Sequence, residues 1–253
     1  MEHIGIMHDR LYNRLKKFTD SVAADVGMPR FYIEQSAAVD RSSVLFETEP
    51  NLLAILTLLQ DKENFPGHGL AHVSKVARDA GALVLIDGVD IAKGEQLIRL
   101  VFLAHLAGLL HDIKRKEPDH ALRGAETAAA MLKTLEIEEI EITSVVQAIA
   151  NHEAFQSFRV LDHPVDQLLS DALYDSDKFR WGPDNFTETL WAFIKPEQID
   201  IAALMQHIPS GLDATSRIKD TFRSTTGKEY GPDFIDRALE IGRRLYLYCS
   251  SIL

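Results

Sequence analysis

Apolar residues recur at helical spacing in most segments of the chain. From about His8 to Val26 they fall at Leu11, Leu15, Phe18 and Val22, steps of four, three and four that lay one stripe along a helix face. Gly27-Met28-Pro29 ends that helix. Residues 30 to 49 are mixed in pattern and are expected to form a loop with a short helix. Pro50, preceded by Glu49, opens a helix through Gln60, and Asn64-Phe65-Pro66-Gly67 breaks the chain. Val73, Val76, Ala77, Ala80 and Val84 mark a further helix that begins near His68. Asp87-Gly88-Val89-Asp90 reads as a turn, and residues 93 to 111 as the next helix. Asp119 is the expected N-cap of a helix from His120 to about Leu135, with Ala125, Ala128, Ala129 and Leu132 as its packing face. Helices from about Ile140 to Asn151 and from Pro164 to Phe179 follow. Beyond Arg180, helices are expected near 184–195, 197–207, 213–224 and 231–251, with Gly227 to Pro232 separating the last two. No alternating strand pattern, hairpin turn, repeat or low-complexity stretch appears. The pattern predicts an all-α protein, a single domain over residues 1–253, in which N- and C-terminal helices wrap a central helical bundle.

Composition narrows the function. The net charge is −11, from 27 basic and 38 acidic residues, which disfavours nucleic acid as a partner because phosphate contacts need positive charge. A local basic pocket for a phosphorylated small molecule is compatible with that balance. The one cysteine, Cys249, excludes a disulfide framework within the chain and a cysteine-based zinc site, as expected of a cytoplasmic protein. The N-terminus lacks the apolar core of a signal peptide. The most apolar run, Leu97 to Ile113, contains Arg99, His105, His111 and Asp112 and is too short and polar to span a bilayer.

That same run ends in the vicinal pair His111-Asp112. Burying an imidazole and a carboxylate together is costly unless both are paired, and a metal ion would take both as ligands. The dipeptide alone is equally explained by a core histidine beside a helix-terminal aspartate. The order His72, His111-Asp112, Asp177, on three predicted helices, strengthens the metal reading. A His/Asp set without cysteine points to a hydrolytic or redox-active divalent ion over a structural zinc. His105 lies six residues before His111 and points away from that side of a straight helix, which makes it a core residue. His163, before Pro164, reads as a loop residue.

The matching elements are His72 in His-Val-Ser-Lys-Val-Ala, His111-Asp112 after an apolar helix, and Asp177 in Asp-Ser-Asp-Lys-Phe. In this series the chain resembles the HD-domain superfamily of metal-dependent phosphohydrolases, over about residues 64 to 181. The resemblance implies an HD-domain-like helical bundle whose metal is held by His72, His111, Asp112 and Asp177, with Asp112 able to bridge two ions. His120, in His-Ala-Leu-Arg-Gly-Ala-Glu, and His152, in Ile-Ala-Asn-His-Glu, look like second-ion ligands. His68 looks like an outer or phosphate-facing residue. Asn151-His152 stands where some relatives have a His-His pair, and no Gly-Tyr-Pro follows Glu153; both count against the cyclic-dinucleotide phosphodiesterase branch.

The resemblance implies hydrolysis of a phosphate ester or nucleotide by metal-activated water. The cofactor would be one or two divalent ions among Mn, Fe, Ni, Zn, Co and Mg. Cations near the site by sequence are Lys75, Lys114, Arg115, Arg123 and Lys178. Of these, Lys75 and Arg115 are catalytic candidates with Asp112 and Glu153, and Arg123, Lys178 and His68 are substrate-binding candidates. Two other functions fit the same ligands: a di-iron HD-type oxygenase and a non-catalytic nucleotide-binding sensor. Phe155, Phe158, Phe179, Trp181 and Phe186 could include a base-stacking residue or be core packing. Phe234, Leu239, Ile241, Leu245 and Leu247 could serve a homodimer or the chain's own core.

Overall fold

A computed structural model describes residues 2–60, 66–194 and 199–252. Every regular element among them is helical. In chain order they are α1 (Glu2–Val26), α2 (Arg30–Glu34), α3 (Ser36–Thr48), α4 (Pro50–Gln60), α5 (Leu70–Asp87), α6 (Glu95–Leu110), α7 (His120–Leu132), α8 (Glu139–Ala150) and α9 (Pro164–Phe179). A π-helical turn (Asn185–Thr189) leads into α10 (Leu190–Phe193), followed by α11 (Ile201–Ile218) and α12 (Thr225–Ile252). No helix is long and apolar enough to cross a membrane among the described residues.

Two cores hold these helices. The larger joins α3 to α9 with the start of α12, through fully buried residues such as Val76, Leu83, Leu106, Leu110, Leu169 and Leu173. Each such side chain contributes about 1.5–3 kcal/mol of burial. The smaller core packs α1, the π-helical turn, α10 and α11 around α12 and contains Leu15, Val22, Trp191, Ile208 and Leu245. Four of the five apolar α12 residues expected to serve a dimer or a core, Phe234, Leu239, Ile241 and Leu245, are buried in the chain itself, while Leu247 is exposed.

The α5–α6 pair positions the site, and small residues set its spacing. A Cβ at Gly108 would lie 2.4 Å from Ala77 Cα and 2.6 Å from Ala77 N, so the two backbones nearly touch. Beside that crossing, Gly81 leaves room for His105, whose Nε2 lies 2.8 Å from Ser42 Oγ. His105 is buried and its ring meets Phe46 edge-on, a core histidine as its offset from His111 predicts. Gly124 on α7 lies against the His111 carbonyl, with 3.1 Å from an added Cβ to that oxygen, which brings α7 to the end of α6.

The fold departs from the sequence pattern in several places. Residues 30 to 49 are not a loop: α2 and α3 follow one another across Gln35, anchored by buried Phe31, Ser42 and Phe46. Asp119 precedes α7 as expected, but with a left-handed φ of 53° and no side-chain cap bond. The helices expected at 197–207 and 213–224 are one continuous helix, α11, despite Pro209 and Gly211; the helix expected over 184–195 is the π-helical turn plus α10. Residues 195–198 lie outside the described residues. Gly227 to Pro232 is not a break but part of α12. Its glycines permit close approach: a Cβ at Gly227 would meet the Asp175 carboxylate, and one at Gly231 the Phe222 ring.

Candidate metal centre

Helix ends converge on one cluster. His72 sits in the first turn of α5 and His68 just before it. His111 is the C-cap of α6, with Asp112 next. His120 begins α7, His152 follows the end of α8, and Asp177 lies in the last turn of α9. His111, Asp112, His120, His152 and Asp177 are all buried. The C-terminal ends of α6, α8 and α9 carry partial negative charge, which favours a cation among them.

The side chains face one another at close range. His72 Nε2 lies 3.3 Å from Asp177 Oδ1 and 3.7 Å from Asp112 Oδ2. His111 Nε2 lies 3.5 Å from Asp112 Oδ2 and 3.6 Å from Asp177 Oδ1. The other oxygen, Asp112 Oδ1, faces His152 Nε2 at 3.6 Å and His120 Nε2 at 3.8 Å. Asp112 thus divides the cluster, each carboxylate oxygen serving a different set of imidazoles. Three groups have donor atoms within 4.8 Å of one another: His68, His72 and Asp112; His72, His111 and Asp177; and His111, Asp112 and His152. Such spacing suits nitrogen and oxygen ligands about 2.0–2.2 Å from a shared ion.

Hydrogen bonds on the far side of the rings aim them inward. His111 Nδ1 lies 2.8 Å from the Gly108 carbonyl and His152 Nδ1 2.6 Å from the Ile149 carbonyl. A carbonyl only accepts, so both Nδ1 atoms carry protons and present Nε2 to the cluster, the arrangement that orients metal-binding histidines. His152 Nε2 is buried and has no hydrogen-bond partner.

Charge follows burial and neighbours. Burial would raise Asp112, but the His111 charge and the surrounding imidazoles hold it well below the usual carboxylate range. Burial likewise opposes ionisation of Asp177, which Lys178, His111 and His72 override. Burial lowers His72. His120 is pulled down to about 4 by burial, then by His152 and Arg115.

A cleft of about 490 Å³ opens over the cluster, with Arg115, Lys178, Arg180, Phe155, Trp181 and Phe193 on its walls. Arg115 Nη1 donates to His120 Nε2 at 2.8 Å, and His120 belongs to none of the three close groups. His68, expected outside the ligand set, belongs to one of them and lies 2.7 Å from Asp112 Oδ2. Glu153 lines the cleft, 3.8 Å from His120 Nδ1. Lys178 is buried on the wall and donates to Asp177. Lys114 pairs with Glu117.

Lys114 stands outside this cleft, as do Lys75 and Arg123. Lys75 donates to Asp184 Oδ2 at 3.3 Å and Glu188 Oε1 at 2.5 Å, beside a smaller cavity next to the cleft. Arg123 is exposed and lies 3.6 Å from Glu117. Arg180, which the sequence reading passed over, is a buried residue on the cleft wall and donates to Tyr32, Asp79 and Asp184. The signal was Asp79, two helical turns after His72 and so on the same face of α5.

No protein-family model and no curated protein matches the chain. Among solved structures, the chain is similar to a predicted HD superfamily hydrolase from an uncultured Thermotogales bacterium. The two share 22% identity with a TM-score of 0.49, over 81% of this chain and 96% of that chain.

Proposed function

We propose that the protein is a metal-dependent phosphohydrolase that cleaves a phosphate ester or nucleotide. The observation that carries the reading is the orphaned Nε2 of His152, fixed in orientation by the Ile149 carbonyl and aimed at Asp112 Oδ1. A buried acceptor without a donor is costly, and a divalent cation relieves that cost among imidazoles and carboxylates. His72, His111, Asp112 and Asp177 would hold one ion. His152 and the second oxygen of Asp112 would hold another, which His120 could join only with Arg115 displaced from its Nε2.

When bound, the ion supplies Lewis acidity toward water and a phosphoryl oxygen. Arg115 and Lys178 place positive charge on the cleft wall, where the phosphoryl oxygens gather negative charge in the transition state. Glu153, partly exposed on the same wall, is placed to accept and return a proton. His68 fixes Asp112 Oδ2, and Arg180 ties the end of α9 to α2 and α5. Lys75 and Arg123, held in ion pairs outside the cleft, act on neither substrate nor ion.

The test is release of product from phosphomonoesters, nucleotides and dinucleotides with Mn, Co, Ni, Mg or Zn. Metal-dependent turnover that is lost in Asp112→Asn supports the reading. Absence of turnover with every ion, or undiminished turnover in Asp112→Asn, rejects it. Bound iron with a visible absorbance band and oxygen consumption would point to oxygenase chemistry instead.

A further inference from the structure

Phe155 has a left-handed backbone, with φ of 62°, a conformation unfavourable for a bulky side chain. Burial does not account for it, because the residue is 48% exposed. The Arg217 guanidinium lies 4.5 Å from the ring centroid and covers one face. The rest of the ring borders two cavities: the cleft over the metal cluster and a neighbouring one of about 500 Å³ that also holds Phe158, Tyr174, Phe222 and Arg223. Phe155 stands three residues beyond His152, on the same connection that presents that imidazole. Trp181, Asn185 and Thr189 line the metal cleft too.

We infer that Phe155 is a specificity-determining residue: its ring is the stacking surface for a flat aromatic group carried by the phosphorylated ligand. The inference rests on the phosphohydrolase reading of the cleft. An aliphatic ester gains nothing from a half-exposed aromatic wall beside a phosphate site. A planar ring gains stacking energy whatever its hydrogen-bonding pattern. The strained backbone serves to hold the phenyl ring at the junction of the cavities, a position that a relaxed φ at residue 155 would not give it.

The experiment uses the full, metal-loaded chain, and calorimetric titration with the non-hydrolysable methylenephosphonate analogues of adenosine 5′-monophosphate and ribose 5-phosphate, so that no turnover intervenes. The wild type binds the nucleotide more tightly than the sugar phosphate. Phe155→Gly, which suits the native φ, weakens the nucleotide about 5- to 150-fold, the loss expected of one stacked base. It leaves the ribose 5-phosphate analogue unchanged, and Phe155→Tyr restores nucleotide binding. Equal affinities for the two probes in the wild type overturn the inference. So does a Phe155→Gly variant that binds the nucleotide as the wild type does, or that loses both probes alike. Phe155-dependent binding without hydrolysis by the metal-loaded protein would sink the hydrolase reading and leave the stacking role standing. Hydrolysis that ignores residue 155 would do the reverse.

Discussion

The Nε2 atoms of His72 and His111 face each other across 3.3 Å. One of two nitrogens at that separation must donate, or a cation must lie between their lone pairs. Burial lowers His72 and leaves it an acceptor. Burial also opposes charge on His111, yet the Asp112 carboxylate, with hydrogen bonds to Asp112 and Asp177, raises it to about 10. Without metal, the positive charge beside the two buried carboxylates is therefore supplied by Lys178, which donates to Asp177, and by a proton on His111.

Metal must displace that proton. Because the site holds it well above neutrality, binding releases a proton throughout the physiological range, and the apparent association constant rises about tenfold per pH unit between pH 6 and 8. Titrations in two buffers of different ionisation enthalpy count the protons released. A pH-independent affinity would contradict this account of His111.

Gly108→Ala tests whether the α5–α6 crossing sets the site. The added methyl would meet the Ala77 backbone at 2.4 Å, and backbone cannot rotate aside as a side chain can. Overpacking of about 1–3 kcal/mol lowers the melting temperature by roughly 2–12 °C. Forcing α5 from α6 also parts His72 from His111, so metal affinity falls with stability. An unchanged melting temperature and unchanged affinity would show the crossing to be slack.

His105 supplies a pH dependence remote from the metal cluster. Ser42 donates to the Arg78 carbonyl, so its oxygen accepts from His105 Nε2, and the ring is neutral with its proton there. Burial, then the charge of Arg78, lowers this histidine from 6.5 to about 3. Its folded-state value lies below its unfolded one, so the unfolded chain binds the extra proton first. The stability is complete above pH 6.5 and is lost as the pH falls toward 3, at up to about 1.4 kcal/mol per unit. Chemical denaturation at pH 6.5 and pH 5 should show roughly 2 kcal/mol less acid sensitivity in His105→Gln than in the wild type. Equal sensitivity in both proteins would place the acid-labile group elsewhere.

The bundle helices were legible because their apolar stripes have helical period: Val73, Val76, Ala77, Ala80 and Val84 are all buried on α5. Which histidines and aspartates meet was legible only through the resemblance to the HD-domain superfamily, because spacing along the chain does not say which helix ends come together. Gly227 and Gly231 misled because glycine serves close packing as well as turns, and only tertiary structure shows Asp175 and Phe222 filling the space. Lys75 and Arg123 follow site histidines by three residues, a spacing that fixes where a helix points them but not what they meet. The acids that hold Lys75 come from more than a hundred positions away. Arg180 escaped notice for the same reason, its partners Tyr32 and Asp79 being distant in sequence.

The most direct measurement is elemental analysis of the purified protein after dialysis, beside Asp112→Asn prepared in the same way. At least one tightly held divalent ion per wild-type chain, with the variant empty, is the expected outcome. A wild type that retains no ion even after incubation with Mn, Fe, Co, Ni or Zn, or a variant that retains as much as the wild type, would contradict a metal centre built on Asp112.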